Sequence, residues 1–313
     1  MDARQLEYFL AIVEHGGFSK AAAALHVAQP SLSQAMANLE ADLGVPLFHR
    51  KGRGVVLSEA GAELLEPSRR VLRDLAAVRD KATALSGLQG GTVELAAMPS
   101  PGIEPLTTLI HRFAELHPSV TVSARAAFTP DEVLELVRTG ICELGLLGAA
   151  TPVTASHVDV LPVEEQPFVV VAAAGDGVED GAVMRPRDLA GRRLIATRSG
   201  SLMRAIVDDI TAHAPGTEIA AVVDHRTSIL PLALAGVGLA VLPASWTTLA
   251  RRCGAVVASI EPTAHLHVAM ISLPAHLTPG ARAFLELTRS LAQRREAAAH
   301  NPRSTAREPG PKL

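Results

Sequence analysis

Apolar residues in the first 65 positions recur every three or four residues. Leu6, Phe9, Leu10 and Val13 predict a helix over residues 4–14 with those side chains inward. Gly16-Gly17 ends it, because glycine accepts the left-handed conformation in which many helices close. Ser19 is the expected cap of a second helix, Lys20 to Leu25, built almost wholly of alanine, and such small side chains let a neighbouring helix come close. A brief connection, His26 to Gln29, leads into VAQPSLSQAMANLE, residues 27–40. There Leu32, Met36, Leu39 and Leu43 form one apolar stripe, and Pro30 suits the first turn, where an N–H would have no partner. The other face presents Ser31, Ser33, Gln34 and Asn38 rather than the Lys and Glu of an ordinary solvated helix. Two helices joined by a tight turn, the second with a face of small polar groups, form the arrangement that enters a DNA major groove.

The period then shortens. Val45 to Phe48 and Val55 to Leu57 predict two short strands, with His49, Arg50, Lys51 and Arg53 crowded at the tip between them and Gly52 and Gly54 loosening it. This is a hairpin wing with a cationic tip suited to phosphate contact. Residues 1–86 carry as many acids as bases, so any positive potential is local to that tip. From Ser58 to Ser86 a long helix follows. Leu57, Leu64, Val71, Val78 and Leu85 recur every seven residues, with Leu75 and Ala82 four after the preceding member. Such a heptad seam predicts pairing with a second copy, as a reader of two half-sites requires. Pro67 interrupts the seam and is expected to kink the helix.

Beyond GLQGG, residues 87–91, strands alternate with helices: GTVELAAM, a helix from Ile103 to His117, VTVSARAA, a helix from Asp131 to Gly140, and ELGLLG. That alternation means parallel α/β units. VDVLPVEEQPFVVVAA, residues 158–173, is long enough to cross to a second set, RRLIATRS, IAAVVDH, GLAVLPASW and VVASIEP. LHVAMI, residues 266–271, reads as a strand returning to the first unit, and Pro279 to Arg294 as a closing helix. The fold class expected is α+β multidomain. It comprises a winged helix-turn-helix over 1–58, a linker helix and hinge over 59–91, and a two-lobed α/β domain over 92–293. Lobe 1 takes about 92–162 and 266–293, and lobe 2 about 163–265; the polar tail 294–313 is expected to be disordered.

Composition narrows the function. A net charge of −3 excludes a protein that is basic as a whole, and no apolar run of membrane-spanning length occurs. The N-terminus lacks the features of a secretory signal, which places the chain in the cytoplasm, and two distant cysteines, Cys142 and Cys253, fit buried thiols there. Gly236-x-Gly238 lacks the third glycine of a dinucleotide site, and His265-x-His267 lacks a third metal ligand nearby. With no nucleophile elbow and no P-loop either, neither cofactor nor catalysis is expected.

Residues 4–65, RQLEYFLAIVEHGGFSKAAAALHVAQPSLSQAMANLEADLGVPLFHRKGRGVVLSEAGAELL, resemble the N-terminal region of the LysR-type transcriptional regulators. The shared pattern is G-x-F-[ST]-x-A-A, L-x-[VI]-[ST]-Q-P-[AS]-[LV]-S, L-E-x-x-L-G-x-x-L-F-x-R and L-T-x-A-G, with Ala28 for Ser/Thr, Ser58 for Thr and Gln34 where Arg is frequent. More distantly, residues 92–293 resemble that family's effector domain, a type 2 periplasmic-binding-protein-like fold, with Glu143 where Asp is usual. The resemblance implies an interrupted inverted repeat of double-stranded promoter DNA and a small-molecule effector as partners. It further implies assembly as homodimer or homotetramer, and RNA polymerase as a partner of an activator.

Gln29, Pro30, Ser31, Ser33, Gln34 and Asn38 are then the expected major-groove residues, and Arg50, Lys51 and Arg53 the expected backbone contacts. In the α/β domain, Met98-Pro99-Ser100-Pro101 and Thr197-Arg198-Ser199-Gly200-Ser201 both lead from a strand into a helix, where N–H donors suit an anion. The resemblance places Ser100, Thr129, Ser201 and Ser228 at or near effector contacts, and Arg198 points to a carboxylate effector. Two competing readings are a solute-binding protein and an α/β enzyme, each with a DNA-binding extension.

Gln34→Ala is predicted to alter base preference, with about 1–3 kcal/mol less discrimination at one position. Arg53→Ala should instead weaken binding to all sequences alike and reduce the salt slope by about 1. Titrating operator and random duplexes at several salt concentrations checks both, and equal losses on the two duplexes for the Gln34 variant would refute its assignment.

Overall fold

The computed structural model describes residues 1–51, 54–85, 90–273 and 277–300. Its N-terminal part comprises α1 (Ala3–His15), α2 (Phe18–Ala24), α3 (Gln29–Leu43), β1 (Phe48–Lys51), β2 (Gly54–Leu57) and α4 (Glu59–Leu85). The α/β part begins with β3 (Gly91–Ala97), α5 (Pro99–Ile103), α6 (Leu106–Leu116), β4 (Val120–Ala126), α7 (Pro130–Arg138) and β5 (Leu144–Ala149). There follow β6 (Asp159–Ala173), β7 (Val183–Met184), β8 (Arg193–Ala196), α8 (Leu202–His213), β9 (Glu218–Val222) and α9 (Ile229–Leu234). The chain closes with β10 (Leu239–Pro243), α10 (Thr247–Arg252), β11 (Ala255–Ile260), β12 (His265–Ser272) and α11 (Pro279–His300).

In the N-terminal part the apolar stripes meet. Phe9, Ile12, Leu32, Met36, Leu39 and Leu47 are almost wholly buried together, and Leu57, Leu64, Leu65 and Leu72 pack on them. Ile12 is the buried residue of the last turn of α1, whereas Val13 is only half-buried. Asp2 and Gln5 start α1 with reciprocal bonds of 2.8 and 2.9 Å, and Gly16 ends it at φ 68.

Three expectations are corrected here. Ser19 does not cap α2: the helix starts at Phe18, because the Gly17 carbonyl already accepts from Ala21 N–H at 3.0 Å. Starting there brings the Phe18 ring edge-on to Phe48 at 5.7 Å. The first wing strand runs from Phe48 to Lys51 rather than from Val45. The N–H groups of Leu47 and Phe48 are taken by Glu40 Oε1 at 2.6 and 3.2 Å, and the Leu47 carbonyl accepts from Ser58 N–H at 2.9 Å. Ladder pairing therefore begins only at Phe48 opposite Leu57. Finally, the helix expected from Ile103 is two helices, with extended backbone at Glu104 (φ −141, ψ 137), the conformation favoured before a proline such as Pro105.

All α/β strands join one sheet in the order β4-β3-β5-β12-β6-β10-β8-β9, with β11 on β6 and β7 on β11. The strand β6 holds it together by changing partners. Residues 159–167 pair with β12 on one side, and residues 168–171 pair with β10, with β11 alongside residues 169–173. Two lobes thus share a strand that switches at Pro167-Phe168. In lobe 1, β3, β4 and β5 run parallel; in lobe 2, β8, β9 and β10 do. The buried Glu143 accepts from Thr278 N–H at 2.7 Å and so ties the start of α11 back to β5. That helix continues to His300, through seven residues expected to be disordered, because Ala297, Ala298 and Ala299 are strong helix formers and the next signal is Asn301-Pro302. The rest of the expected tail, residues 301–313, lies outside the described residues.

Gly61 sits where α4 passes the loop before β1: a Cβ there would lie 2.3 Å from the Leu47 carbonyl oxygen. Gly61→Ala should lower stability by about 1–3 kcal/mol through overpacking. Gly102→Ala, where a Cβ meets nothing within 4 Å, serves as the matched control in differential scanning calorimetry.

Candidate DNA interface and interlobe cleft

The turn between α2 and α3 spans Leu25 to Ala28. It closes through Leu25 N–H to Ala21 O (2.9 Å) and Val27 N–H to Ala22 O (2.9 Å), with His26 in the left-handed region at φ 53. This tight turn sets α3 across α2. Burying Leu32, Met36 and Leu39 then forces the opposite face outward: Gln29, Pro30, Ser31, Gln34 and Asn38 are exposed, and Ser33 is half-buried. Gln34 Nε2 donates to Asn38 Oδ1 at 3.0 Å, one turn along. The bond steadies both amides and leaves Gln34 Oε1 and the second Nε2 hydrogen facing out, one acceptor and one donor side by side. Through Glu40, whose carboxylate holds the amides before β1, the same helix carries the wing. Arg50 and Lys51 belong to β1, and Arg53 lies outside the described residues.

The linker helix α4 is capped by Ser58, whose Oγ accepts from Gly61 N–H at 2.9 Å and donates to Pro46 O at 2.6 Å. It runs on through Pro67. Its heptad residues divide: Leu57 and Leu64 pack into the N-terminal core, while Val71, Leu75 and Val78 are 43, 39 and 66% exposed. The side chains of Ala82 and Leu85 lie outside the described residues. Beside Val71 an apolar hollow opens between α1, α3 and α4, lined by Leu6, Leu43, Leu64 and Pro67 among others.

Across the α/β part, the C-terminal ends of the parallel strands lead into the loops singled out from the sequence. Met98 precedes α5, and Ser100 and Pro101 are buried within it. Thr129 caps α7 through Glu132 N–H at 3.2 Å, beside a Phe128 ring that is 61% exposed. Ser201 caps α8 through Arg204 N–H at 3.1 Å and lies 2.6 Å from Thr197 Oγ1. Ser199 is exposed, and Ser228 is half-buried at the end of a 3-10 turn, Arg226–Ser228. Arg198 is paired through two hydrogen bonds with Asp224 on an exposed edge, and these hold the Asp224 carboxyl below the usual carboxylate range.

Sequence reasoning missed Arg226. Its Nη1 donates to Ser100 Oγ at 3.2 Å, joining lobe 2 to lobe 1 across 126 positions of chain. Burial lowers its pKa from the ordinary value. The only local signal was its place two residues before Ser228.

The other groups weighed from the sequence fall elsewhere. Cys142 is buried, and burial pushes its thiol up to about 11; Cys253, expected to be buried, is exposed where α10 ends against Gly254 (φ 87). His267 Nδ1 lies 3.1 Å from Glu165 Oε1. Among the described residues no helix is long and apolar enough to cross a membrane.

Comparison with known proteins agrees with this architecture. Residues 3–62 match the model of the "Bacterial regulatory helix-turn-helix protein, lysR family", and residues 86–293 that of the "LysR substrate binding domain". The HTH-type transcriptional regulator TfdS of Cupriavidus pinatubonensis is 29% identical, over 92% of this chain and 98% of its own length. TcbR of Pseudomonas sp. strain P51, also an HTH-type transcriptional regulator, is 31% identical over 78% and 83% of the two chains. Full-length CbnR complexed with its target DNA superposes with a TM-score of 0.66 at 27% identity, covering 93% of this chain and all of that one. A two-helix reading head on a winged core, joined by a long helix to a two-lobed α/β domain, thus matches its relatives nearly end to end, and the chain belongs to the LysR family of DNA-binding transcriptional regulators with an effector-binding domain.

Proposed function

We propose that this regulator reads two half-sites with paired copies of α3 and changes its grip when a small molecule fills the cleft between its lobes. The observation that carries this reading is the division of α3 into a buried apolar stripe and an exposed row of Gln29, Pro30, Ser31, Gln34 and Asn38. In this reading the Gln34 amide takes adenine through one donor and one acceptor, and Ser31, Ser33 and Asn38 bond base edges or phosphates. Pro30 touches a thymine methyl, while Arg50, Lys51 and Arg53 hold the sugar–phosphate backbone beside the half-site.

Pairing follows from α4. Val71, Leu75 and Val78 leave an apolar stripe in water, and the hollow beside Val71 continues it. Exposed apolar stripes at heptad spacing are covered by a second helix. The division of labour is then reading by 1–58, pairing by 59–91 and sensing by 92–293.

The effector lies between the loops of Met98, Ser100, Pro101 and Thr129 on one side and Arg198, Ser199, Ser201 and Ser228 on the other, at the carboxyl ends of two parallel strand sets. The half-buried Arg69 of α4 lies in the field of Glu14 from α1 and Glu135 from α7, and Arg125 stands 3.8 Å from Glu14. Thr129 at one end of α7 borders the cleft, so a shift of α7 on effector binding alters the charge facing the linker helix. Such coupling requires only different effector affinities in two states. Binding, not turnover, is the role of the α/β domain in this reading; the regulator works in the cytoplasm and, where it activates, contacts RNA polymerase.

Val78→Asp places a charge in the proposed seam. It should convert the protein to monomers in light scattering and weaken promoter binding at least roughly tenfold, equivalent to about 1.4 kcal/mol. A dimeric variant with unchanged promoter affinity would remove α4 from the pairing surface.

A further inference from the structure

Arg226 is a half-buried cation without an acid beside it. One of its five N–H donors is spent on Ser100 Oγ, a neutral hydroxyl, and among the described residues it forms no ion pair. The nearest acid in sequence, Asp224, is already held by both donor arms of Arg198. Burial lowers the Arg226 pKa and no neighbouring acid opposes it. The half-buried guanidinium loses part of its hydration with no acid beside it, and an anion bound there would restore the opposite charge.

Among the described residues, unsatisfied polar atoms also surround α5: Glu104 Oε2 at its end, Gln166 Oε1 beside it, and two groups of the turn packed on it. The 3-10 turn Ala244–Trp246, which follows β10, packs against α5, the helix that carries Ser100. Trp246 is 3% exposed, and neither its Nε1 nor Ser245 Oγ has a hydrogen-bond partner among the described residues. An indole N–H can only donate. Buried donors without acceptors are rare in folded proteins and concentrate at functional sites.

We infer that Arg226 is the anchor of a carboxylate effector, which takes its guanidinium fork in place of the Ser100 hydroxyl. This rests on the reading of the interlobe cleft as the effector site and moves the anionic end of the ligand from Arg198 to Arg226. A carboxylate fits because two coplanar oxygens match two parallel N–H donors and carry the opposite charge, whereas an amide offers one acceptor and no charge. The exchange also gives the cleft two states. Without ligand, Arg226 clasps lobe 1 through Ser100; with ligand, the carboxylate stands between them, and the clasp no longer sets the spacing of the lobes.

The test uses the full-length protein in thermal-shift and calorimetric titrations with benzoate, succinate and pyruvate, each beside its uncharged amide, and with inorganic phosphate. At least one carboxylate should stabilise the wild type while its amide does not. Arg226→Gln should bind that carboxylate roughly 10- to 100-fold more weakly, as expected for loss of charge-assisted hydrogen bonds. The variant should still fold and still shift the promoter fragment. Should Arg226→Gln melt well below wild type, the comparison passes to Arg226→Lys, which keeps the charge without the fork and must also bind the carboxylate more weakly. Equal responses to acid and amide, a response to phosphate alone, no response to any carboxylate, or full affinity in the variants would each overturn the anchor. If the promoter fragment is still shifted in those cases, the DNA-binding reading stands.

Discussion

A β-strand has two edges, and β6 uses them differently along its length. Up to Pro167 it is the neighbour of β12; from Phe168 it lies between β10 and β11. Everything about the α/β domain depends on that exchange. Because the partners change, the sheet divides into two lobes that share a spine, and the parallel strands of each lobe end toward the other. The loops after β3, β4, β8, β9 and β10 are thereby gathered at one crevice, which brings Ser100 within a hydrogen bond of Arg226. Loops at such a switch hold functional groups without disturbing the packed strands beneath them.

The N-terminal part obeys a simpler constraint. A helix of fifteen residues with three almost fully buried side chains can face its core in one orientation only. That orientation decides which side chains reach a partner. Glu40 lies in the same helix as Gln34, and its carboxylate fixes the start of the wing, so the exposed polar face and the wing are held in one frame. The linker helix then connects two different uses of apolar residues. Its first heptads complete the core of its own chain, and the next ones are left in water.

Features that span a few residues were legible from the start. The helices and strands follow from periodicity, and the polar row on α3 from the stripe opposite it. Misplaced boundaries have local causes that pattern alone does not rank: the carbonyl of Gly17 begins α2 before Ser19 does, and Glu40 withholds the amides that β1 would otherwise pair. Glu40 itself reads as an ordinary helix acid, since its partners lie seven and eight residues on, beyond the helical repeat.

The sequence by itself determined the order of parts, the outward face of α3 and the heptad spacing of the long helix, because each is set by residues within one or two helical turns of each other; which heptad residues stay exposed was decided by the core that Leu57 and Leu64 join. Only the tertiary structure decided the chemistry of the cleft. Arg198 and Arg226 are two arginines in similar loops; one meets Asp224 at the surface and is neutralised, and the other reaches a hydroxyl 126 positions away and is not. Charge is a property of the residue, but whether it is compensated depends on what the fold brings alongside, and β6 makes that choice from the middle of the sheet.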